Sequence, residues 1–121
     1  MTPAPAPSAF AHATRVVRRP DGAFDAAISH GWDIAGKANG GYLLAIAARA
    51  VTAATGRPDP VTLTGHFLAP GIAGPVTVAV DVIRRGARHA TATFTMTAAE
   101  RTLLVGADPR RRHASRPAEP R

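Results

Sequence analysis

The sequence contains no cysteine. Disulfide bonds, a thiolate zinc site and a cysteine nucleophile are therefore excluded, and the usual sequence indicator of the redox compartment is missing. The 121 residues leave room for a single domain, and a hydrophobic fraction of 45% is sufficient to form a core. One domain with an apolar core is the expectation.

Several motifs that carry well-known chemistries are also missing. The chain has no GxSxG nucleophile elbow, no Walker loop, no HExxH sequence and no histidine cluster with metal-ligand spacing. These absences argue against a metal site and against nucleotide hydrolysis. The first ten residues, MTPAPAPSAF, lack the basic and apolar regions of a secretory signal, which predicts a cytoplasmic protein.

Acidic residues are few, and the formal net charge is +7. Most of the excess lies near the two ends of the chain, and 14 of the 15 basic residues are Arg. This distribution is typical of a basic solvated tail, so no nucleic-acid partner is expected. Residues 1–9 and 107–121 lack an apolar pattern and are predicted to be disordered, which leaves a single domain at residues 10–106.

The stretch from Gly36 to Gly56, GKANGGYLLAIAARAVTAATG, carries apolar residues on every face of a helix. Only Arg49 and Thr52 interrupt them. A helix that is apolar all round must be enclosed by protein or by lipid. This run falls short of the ~20 residues that a bilayer requires, so we expect protein to enclose the helix and expect no membrane association.

Segments with the two-residue period of β-strands surround this helix. An opening strand is predicted within GAFDAAISHGWDI, and further strands in PVTLTGHFLAPG, VTVAVDVIRR, HATATFTMTA and TLLVG. The turn RRGAR joins two of them into a hairpin. The order of a strand, a helix and three or four antiparallel strands predicts an α+β fold in which a curled sheet covers the helix.

Four short motifs within residues 22 to 105 resemble one known family. They are Asn39-Gly40-Gly41-Tyr42 at the helix start, His66-Phe67-Leu68 followed by Pro70-Gly71, Gly74-Pro75-Val76, and Arg84-Arg85-Gly86. In this order they are similar to the N-terminal hotdog unit of acyl-CoA thioesterase II-like proteins, within the hotdog-fold thioesterases. The resemblance implies a hotdog fold, in which an antiparallel sheet wraps one long buried helix. It also implies an acyl-CoA thioester substrate without a separate cofactor, because coenzyme A is part of the substrate.

The chain departs from this family in three places. Ala87 stands where an Arg usually follows the hairpin glycine, and Ala98-Ala99-Glu100-Arg101 replaces a Gln-x-Gly-Arg sequence. The second hotdog unit, which supplies better-attested catalytic residues in the family, is absent from this sequence. We therefore expect a homodimer or a separately encoded second unit. The alternative is a non-catalytic binding half or a truncated fragment, with the Arg-rich end as the truncation point.

Thioester hydrolysis needs a polarised carbonyl and an activated water, and a helix N-terminus offers free N–H donors. Gly40 and Gly41 allow a substrate carbonyl to approach the backbone, so Gly41 is a candidate catalytic residue and Gly40 a substrate contact. Asn39 either caps the helix or contacts substrate. Asp33 and His66 are candidate bases. The favoured alternative for Asp33 is a turn residue, and for His66 it is a polar residue on a sheet face or at a subunit contact.

Four further residues are candidate substrate contacts. Tyr42 and Phe67 are expected to line the acyl pocket. Arg84 and Arg88 form a basic patch at the hairpin turn that is suited to the phosphates of coenzyme A. A charged turn without any ligand is the alternative for these two arginines.

Overall fold

The computed structural model describes residues 9–34, 37–57, 59–60 and 63–111. They form two helices, α1 and α2, and nine strands, β1 to β9. The helices are Ala9–Ala13 and Gly40–Thr55, and the strands are Val17–Arg18, Phe24–Ile28, Asp33–Ile34, Lys37–Ala38, Asp59–Pro60, Thr64–Phe67, Gly74–Arg85, His89–Ala98 and Arg101–Arg111.

Seven of the strands form one antiparallel sheet in the order β1-β2-β7-β8-β9, with β5 and β6 both paired to the far side of β9. Strands β3 and β4 form a separate two-stranded ribbon directly before α2. The predicted hairpin is β7–β8, and its register pairs Val78 with Met96 and Val80 with Phe94. The α+β fold with one long helix against an antiparallel sheet is as predicted from the sequence.

The core lies between α2 and the inner face of the sheet. The predicted alternation is observed along β8 and in the first half of β7. Val76, Val78 and the apolar row of β8 are buried, the threonines between them are partly accessible, and Val80 and Val82 are only partly buried. Gly106 lies beneath Phe94 in this core, and a Cβ at Gly106 would overlap both the Phe94 ring and the Thr64 carbonyl oxygen. Buried residues of the central strands and of α2 include Val76, Val78, Ala92, Phe94, Met96, Leu104, Leu43, Ile46, Ala47, Ala50 and Val51.

Helix α2 is not enclosed on all sides, contrary to the expectation from its composition. Gly41, Arg49 and Ala53 are exposed, because the sheet curls around one side of the helix and leaves a face of mostly small residues open. The N-terminal segment covers part of this face. The Arg49 guanidinium donates to the Ala11 carbonyl at 2.7 Å and to the Thr14 hydroxyl at 3.1 Å.

The predicted C-terminal boundary of the ordered domain lies five residues too early. Strand β9 continues to Arg111, Ala107 pairs with Thr64 and Thr93, and Asp108 is fully buried. The lack of large apolar side chains after residue 106 does not prevent strand formation, because β8 supplies backbone partners at each position. The remaining residues of the predicted disordered ends, 1–8 and 112–121, lie outside the described part of the chain.

Neither described helix combines the length and the apolarity that a bilayer-spanning segment requires.

Candidate functional site

A groove of about 380 Å³ opens beside the first turn of α2. One wall is the end of β4 with the start of α2, and the other is the end of β6 with the loop that follows it. Backbone hydrogen bonds hold both walls, since Ala38 N–H donates to the Gly71 carbonyl and Leu68 N–H donates to the Leu103 carbonyl, each at 2.8 Å. The lining residues are Ala38, Gly40, Leu43, Phe67, Leu68, Ala69, Pro70 and Gly71.

Among the residues whose side chains the structure describes, the groove is lined only by alanine, glycine, leucine, phenylalanine and proline, so this lining is apolar. Gly71 lies in tight contact with its surroundings, since a Cβ there would be 3.0 Å from the Leu43 side chain and 3.2 Å from that of Ile28. The loop after β6 therefore packs closely against α2 at Gly71. The apolar lining of the groove suits a hydrocarbon group better than a charged one.

Asn39 caps α2 at the mouth of the groove. Its backbone is extended, with φ −61° and ψ 134°, and its side-chain oxygen accepts from the Gly41 N–H at 2.8 Å. Its own N–H donates to the Trp32 carbonyl at 2.8 Å, and its carbonyl accepts from Leu43 N–H. Of the two interpretations of Asn39, the cap is the one observed, and Asn39 is also exposed at the groove.

The other two N–H groups of the first turn, those of Gly40 and Tyr42, have no acceptor within the described ranges. Amide groups in this position carry the positive end of the helix dipole. The end of the helix thus retains donors that an electron-rich oxygen atom could use.

Gly40 and Phe67 are in direct contact. The tip of the Phe67 ring lies 3.0 Å from the position that a Gly40 Cβ would take, and 48% of Phe67 is nevertheless exposed. A side chain at position 40 would displace the ring, so the glycine is required here for close approach. The two predicted substrate contacts therefore meet at the groove, and both line it.

Tyr42, a predicted substrate contact, is buried in the core and helps to hold the fold together. It is 3% exposed, and its hydroxyl donates to the Ala13 carbonyl and accepts from the Ser29 N–H, both at 2.8 Å. Its ring stacks on Trp32 with centroids 5.7 Å apart. The side chain ties the N-terminal segment and the end of β2 to α2, and it does not line the groove.

The two candidate bases have different positions. The backbone of Asp33 pairs with Ala38, one residue before the Asn39 cap, so Asp33 lies alongside the start of α2. His66 lies on β6 next to Gly65, whose missing Cβ faces the Leu44 side chain of α2 at 2.8 Å. Because neighbouring residues of a strand point to opposite faces, His66 points away from α2. It is exposed and is not brought into the groove of its own chain.

Arg84 and Arg88 lie together, but far from the groove. They line a pocket of about 350 Å³ at the β7–β8 turn, with Gly86, Ala87, His89 and Thr91. This turn adjoins the C-terminal end of α2, because the Arg85 guanidinium donates to the Thr55 carbonyl at 2.7 Å and to the Ala54 carbonyl at 3.1 Å. A helix of 16 residues is about 24 Å long. The two predicted substrate-binding regions therefore lie near opposite ends of α2.

Sequence reasoning missed two sets of residues. The first is the groove wall formed by Leu68 and Ala69. Leu68 belongs to the quoted motif His66-Phe67-Leu68, but it was not predicted to contact substrate. The second is the group of arginines at the end of α2, where Arg18 donates to the Ala53 carbonyl at 3.0 Å in addition to the contacts of Arg85. The only available signal was that the last turn of the helix has no basic residue of its own.

A metal is not indicated by the described residues, which contain no group of three or more His, Asp or Glu side chains that could hold one.

Comparison with known proteins is consistent with this geometry. The family model described as the acyl-CoA thioesterase N-terminal domain matches residues 28–115. No curated protein matches the sequence.

Solved structures share the fold. A Thermobifida fusca protein assigned as a thioesterase II is 30% identical, with a TM-score of 0.85 over 93% of this chain and 42% of its own. A hot dog fold protein of unknown function from Alicyclobacillus acidocaldarius is 18% identical, with a TM-score of 0.80 over 94% of this chain and 43% of its own. A Streptococcus mutans protein bound to acetyl-CoA is 12% identical, with a TM-score of 0.67 over 76% of this chain and 83% of its own. The predicted hotdog fold is confirmed, and the chain spans less than half the length of the first two proteins.

Proposed function

This chain belongs to the acyl-CoA thioesterase N-terminal domain family, and from that premise we propose that it binds an acyl-CoA thioester in the groove beside α2 and hydrolyses it there. The observation that carries the proposal is the meeting of an apolar groove with the glycine-rich start of the helix. The groove offers a place for the acyl chain, and the helix start offers N–H donors for the thioester carbonyl. Acetyl-CoA bound to the Streptococcus mutans protein supports a coenzyme A thioester as the ligand class.

In the proposed reaction, water attacks the thioester carbonyl carbon. The carbonyl oxygen becomes negatively charged in the tetrahedral intermediate, and N–H groups near Gly41 stabilise it. The carbon–sulfur bond then breaks, the thiolate of coenzyme A leaves and is protonated, and the acyl group departs as a carboxylic acid. Asp33 is the proposed base, because its backbone runs alongside the start of α2.

Completion of the site requires a second hotdog unit in this proposal. The chain spans 42% and 43% of the first two proteins that it resembles, so one such unit corresponds to about half of each. Strand β6 lies at one edge of the sheet, and the apolar side chains of Phe67 and Leu68 beside it are 48% and 59% exposed. A second copy of the chain paired along β6 would cover them.

A second candidate function is a hotdog half that binds acyl-CoA without hydrolysing it. Two observations favour it. The Asn39 side-chain oxygen already occupies the Gly41 N–H, and His66 points away from the groove. The two candidates differ only in whether bound thioester turns over.

The experiment that separates them is a thiol-release assay with short, medium and long acyl-CoA thioesters on the protein recovered from a sizing column. If the chain is a thioesterase, Gly41→Val should lower kcat by roughly 10²- to 10³-fold, comparable to the loss of an oxyanion donor, because its side chain would keep the carbonyl oxygen away from the N–H groups of the first turn. The added side chain would crowd the Asn39 oxygen, which lies 3.3 Å from a Cβ at this position, and would block approach to the backbone.

The matched control is Ala53→Val, which adds a branched side chain to an exposed position at the other end of the same helix. This variant should retain activity. Wild-type protein that is folded, binds acyl-CoA and releases no thiol would establish the binding half. Folded protein that neither binds nor hydrolyses acyl-CoA would overturn both candidates.

A further inference from the structure

The N-terminal helix α1 lies on the open face of α2 and is held there at two places. Near the middle of α2, the Arg49 guanidinium donates to the Ala11 carbonyl and to the Thr14 hydroxyl. Near the start of α2, the Tyr42 hydroxyl donates to the Ala13 carbonyl, and both Ala13 and Thr14 are buried. A helix of five residues is not stable on its own, so these contacts determine where α1 lies.

Three aromatic rings, those of Phe10, Trp32 and Tyr42, continue this connection towards the start of α2. The Phe10 and Trp32 rings meet edge to face, with centroids 5.2 Å apart and an angle of 65° between their planes. Trp32 stacks on Tyr42 in turn, at 5.7 Å and 27°. The aromatic row therefore begins on α1 and ends in the first turn of α2. Because 43% of Phe10 is exposed, its replacement would remove the contact with Trp32 without leaving a closed cavity.

Trp32 also contacts the start of α2 through its backbone. Its carbonyl accepts from the Asn39 N–H at 2.8 Å, and the Asn39 side-chain oxygen holds the Gly41 N–H at the same distance. The position of Asn39 thus sets where the first turn begins and in which direction its N–H groups point. Only Trp32 and Asn39 stand between Phe10 and these donors.

We propose that Phe10 and Trp32 are positioning residues, through which α1 aligns the N–H donors at the start of α2 with the thioester carbonyl. Neither residue lines the groove, so both act through Asn39 and not by touching the acyl chain. The inference rests on the proposed hydrolysis and adds to it a requirement for α1. With α1 displaced, the acyl chain still binds in the groove, but the carbonyl oxygen is stabilised less well.

The first experiment removes the ring contact with Phe10→Ala. The kcat for acyl-CoA should fall about tenfold or more, because small displacements of reacting groups have large effects on rate. KM should stay unchanged, since the groove lining is intact. The same fall is expected with acyl-pantetheine, which lacks the nucleotide of coenzyme A, because the effect lies at the thioester. Thiol release is measured on protein that circular dichroism shows to be folded at the assay temperature.

Two variants serve as controls for this experiment. Val17→Ala shortens another exposed apolar side chain of the N-terminal segment and should change neither kcat nor KM. Phe10→Tyr keeps the ring and should restore the wild-type kcat. A raised KM with an unchanged kcat in Phe10→Ala would overturn the inference, and so would equal losses of kcat in Phe10→Ala and Phe10→Tyr.

The second experiment displaces α1 at its other attachment. Arg49→Gln loses the contacts to Ala11 and Thr14 while the aromatic row stays in place, and Arg49 is exposed, so the fold should persist. This variant should also lower kcat and leave KM unchanged. If both substitutions act by releasing α1, the combined variant should be less impaired than the product of the two single effects. Fully multiplicative effects would show that the two residues act independently and would contradict the proposal.

Failure of the proposed function gives a different result, because the position of the helix start can be measured without turnover. If the wild-type protein releases no thiol, amide hydrogen exchange still reports the bond from Asn39 to Trp32. Phe10→Ala should speed exchange of the Asn39 N–H and leave that of Phe94, in the middle of β8, unchanged. This result, absent from Val17→Ala, would support the positioning role in a protein that does not hydrolyse thioesters. Exchange at Asn39 as slow as in the wild type would overturn it, whether or not the chain is an enzyme.

Discussion

The two ends of α2 satisfy their backbone groups in different ways. At the C-terminal end, the Arg18 and Arg85 guanidinium groups donate to the carbonyls of Ala53, Ala54 and Thr55, and Gly56 closes the helix with φ 70°. At the N-terminal end, one amide oxygen, that of Asn39, caps the helix beside an open groove. Positive side chains thus complement the negative end of the dipole, while the positive end is left accessible.

This difference separates stability from binding along one helix. The C-terminal end uses long side chains from distant strands to attach the helix to the sheet, so it contributes to the fold. The N-terminal end keeps donors and apolar space together, which is the combination that a ligand carbonyl with a hydrocarbon chain would need. Substitutions of the groups exposed at the two ends should therefore affect different measurements. Tyr42 differs from both sets, because it is buried behind the N-terminal end and should affect stability.

The largest effect on stability is expected from Tyr42→Phe, just inside the N-terminal end. Loss of the hydroxyl leaves the Ser29 N–H without its acceptor and the Ala13 carbonyl without its donor, both beside a buried ring. The free energy of unfolding should fall by about 1–3 kcal/mol. Urea denaturation followed by circular dichroism measures this, and an unchanged midpoint would show that the hydroxyl network does not hold the N-terminal segment.

A smaller effect is expected from Arg85→Gln at the C-terminal end. The variant loses contacts to two helix carbonyls at a partly exposed site, which should cost about 1 kcal/mol of unfolding free energy. KM for acyl-pantetheine should not change. Arg84→Gln is the matched control, since it removes the same charge one residue away and should leave the denaturation midpoint where it is.

The smallest effect on stability is expected from Gly40→Ala, where binding should change instead. Alanine favours the helix by about 1 kcal/mol over glycine, but its Cβ would lie 3.0 Å from the Phe67 ring and push it into the groove. Stability should be nearly unchanged, while KM for acyl-CoA rises several-fold. Combining Gly40→Ala with Phe67→Leu should restore KM if the ring is the cause, and additive effects would exclude that explanation.

The strands and the helix were predictable because their patterns are local. The alternating rows of β7 and β8 have the period of a half-buried strand, and the apolar run after Gly41 has the length of a helix between Asn39 and Gly56. The end of β9 was not predictable in this way. Residues 107–111 have no apolar pattern, and they are ordered by pairing with β8.

Some of the predicted site residues lie close together in the structure, and their roles in binding and catalysis stay predictions. Gly40 and Phe67 meet in the groove, and Asn39 caps the helix directly before Gly40, because the motifs that contain them flank the same end of α2. Tyr42 is next to them in the sequence, yet its side chain points into the core. Consecutive helix residues are about 100° apart around the axis, so adjacency in the sequence does not put side chains on the same surface.

The sequence by itself determined the long helix, the β7–β8 hairpin, the order of the main elements and the family, since these depend on residue periodicity and short motifs. Only the tertiary structure decided that Arg84 and Arg88 lie at the opposite end of α2 from the groove, and that His66 points to the outer face of the sheet. The physical reason is that direction and distance across a sheet follow from strand register and curvature. These are set by packing between segments that are far apart in the chain, and no local pattern records them.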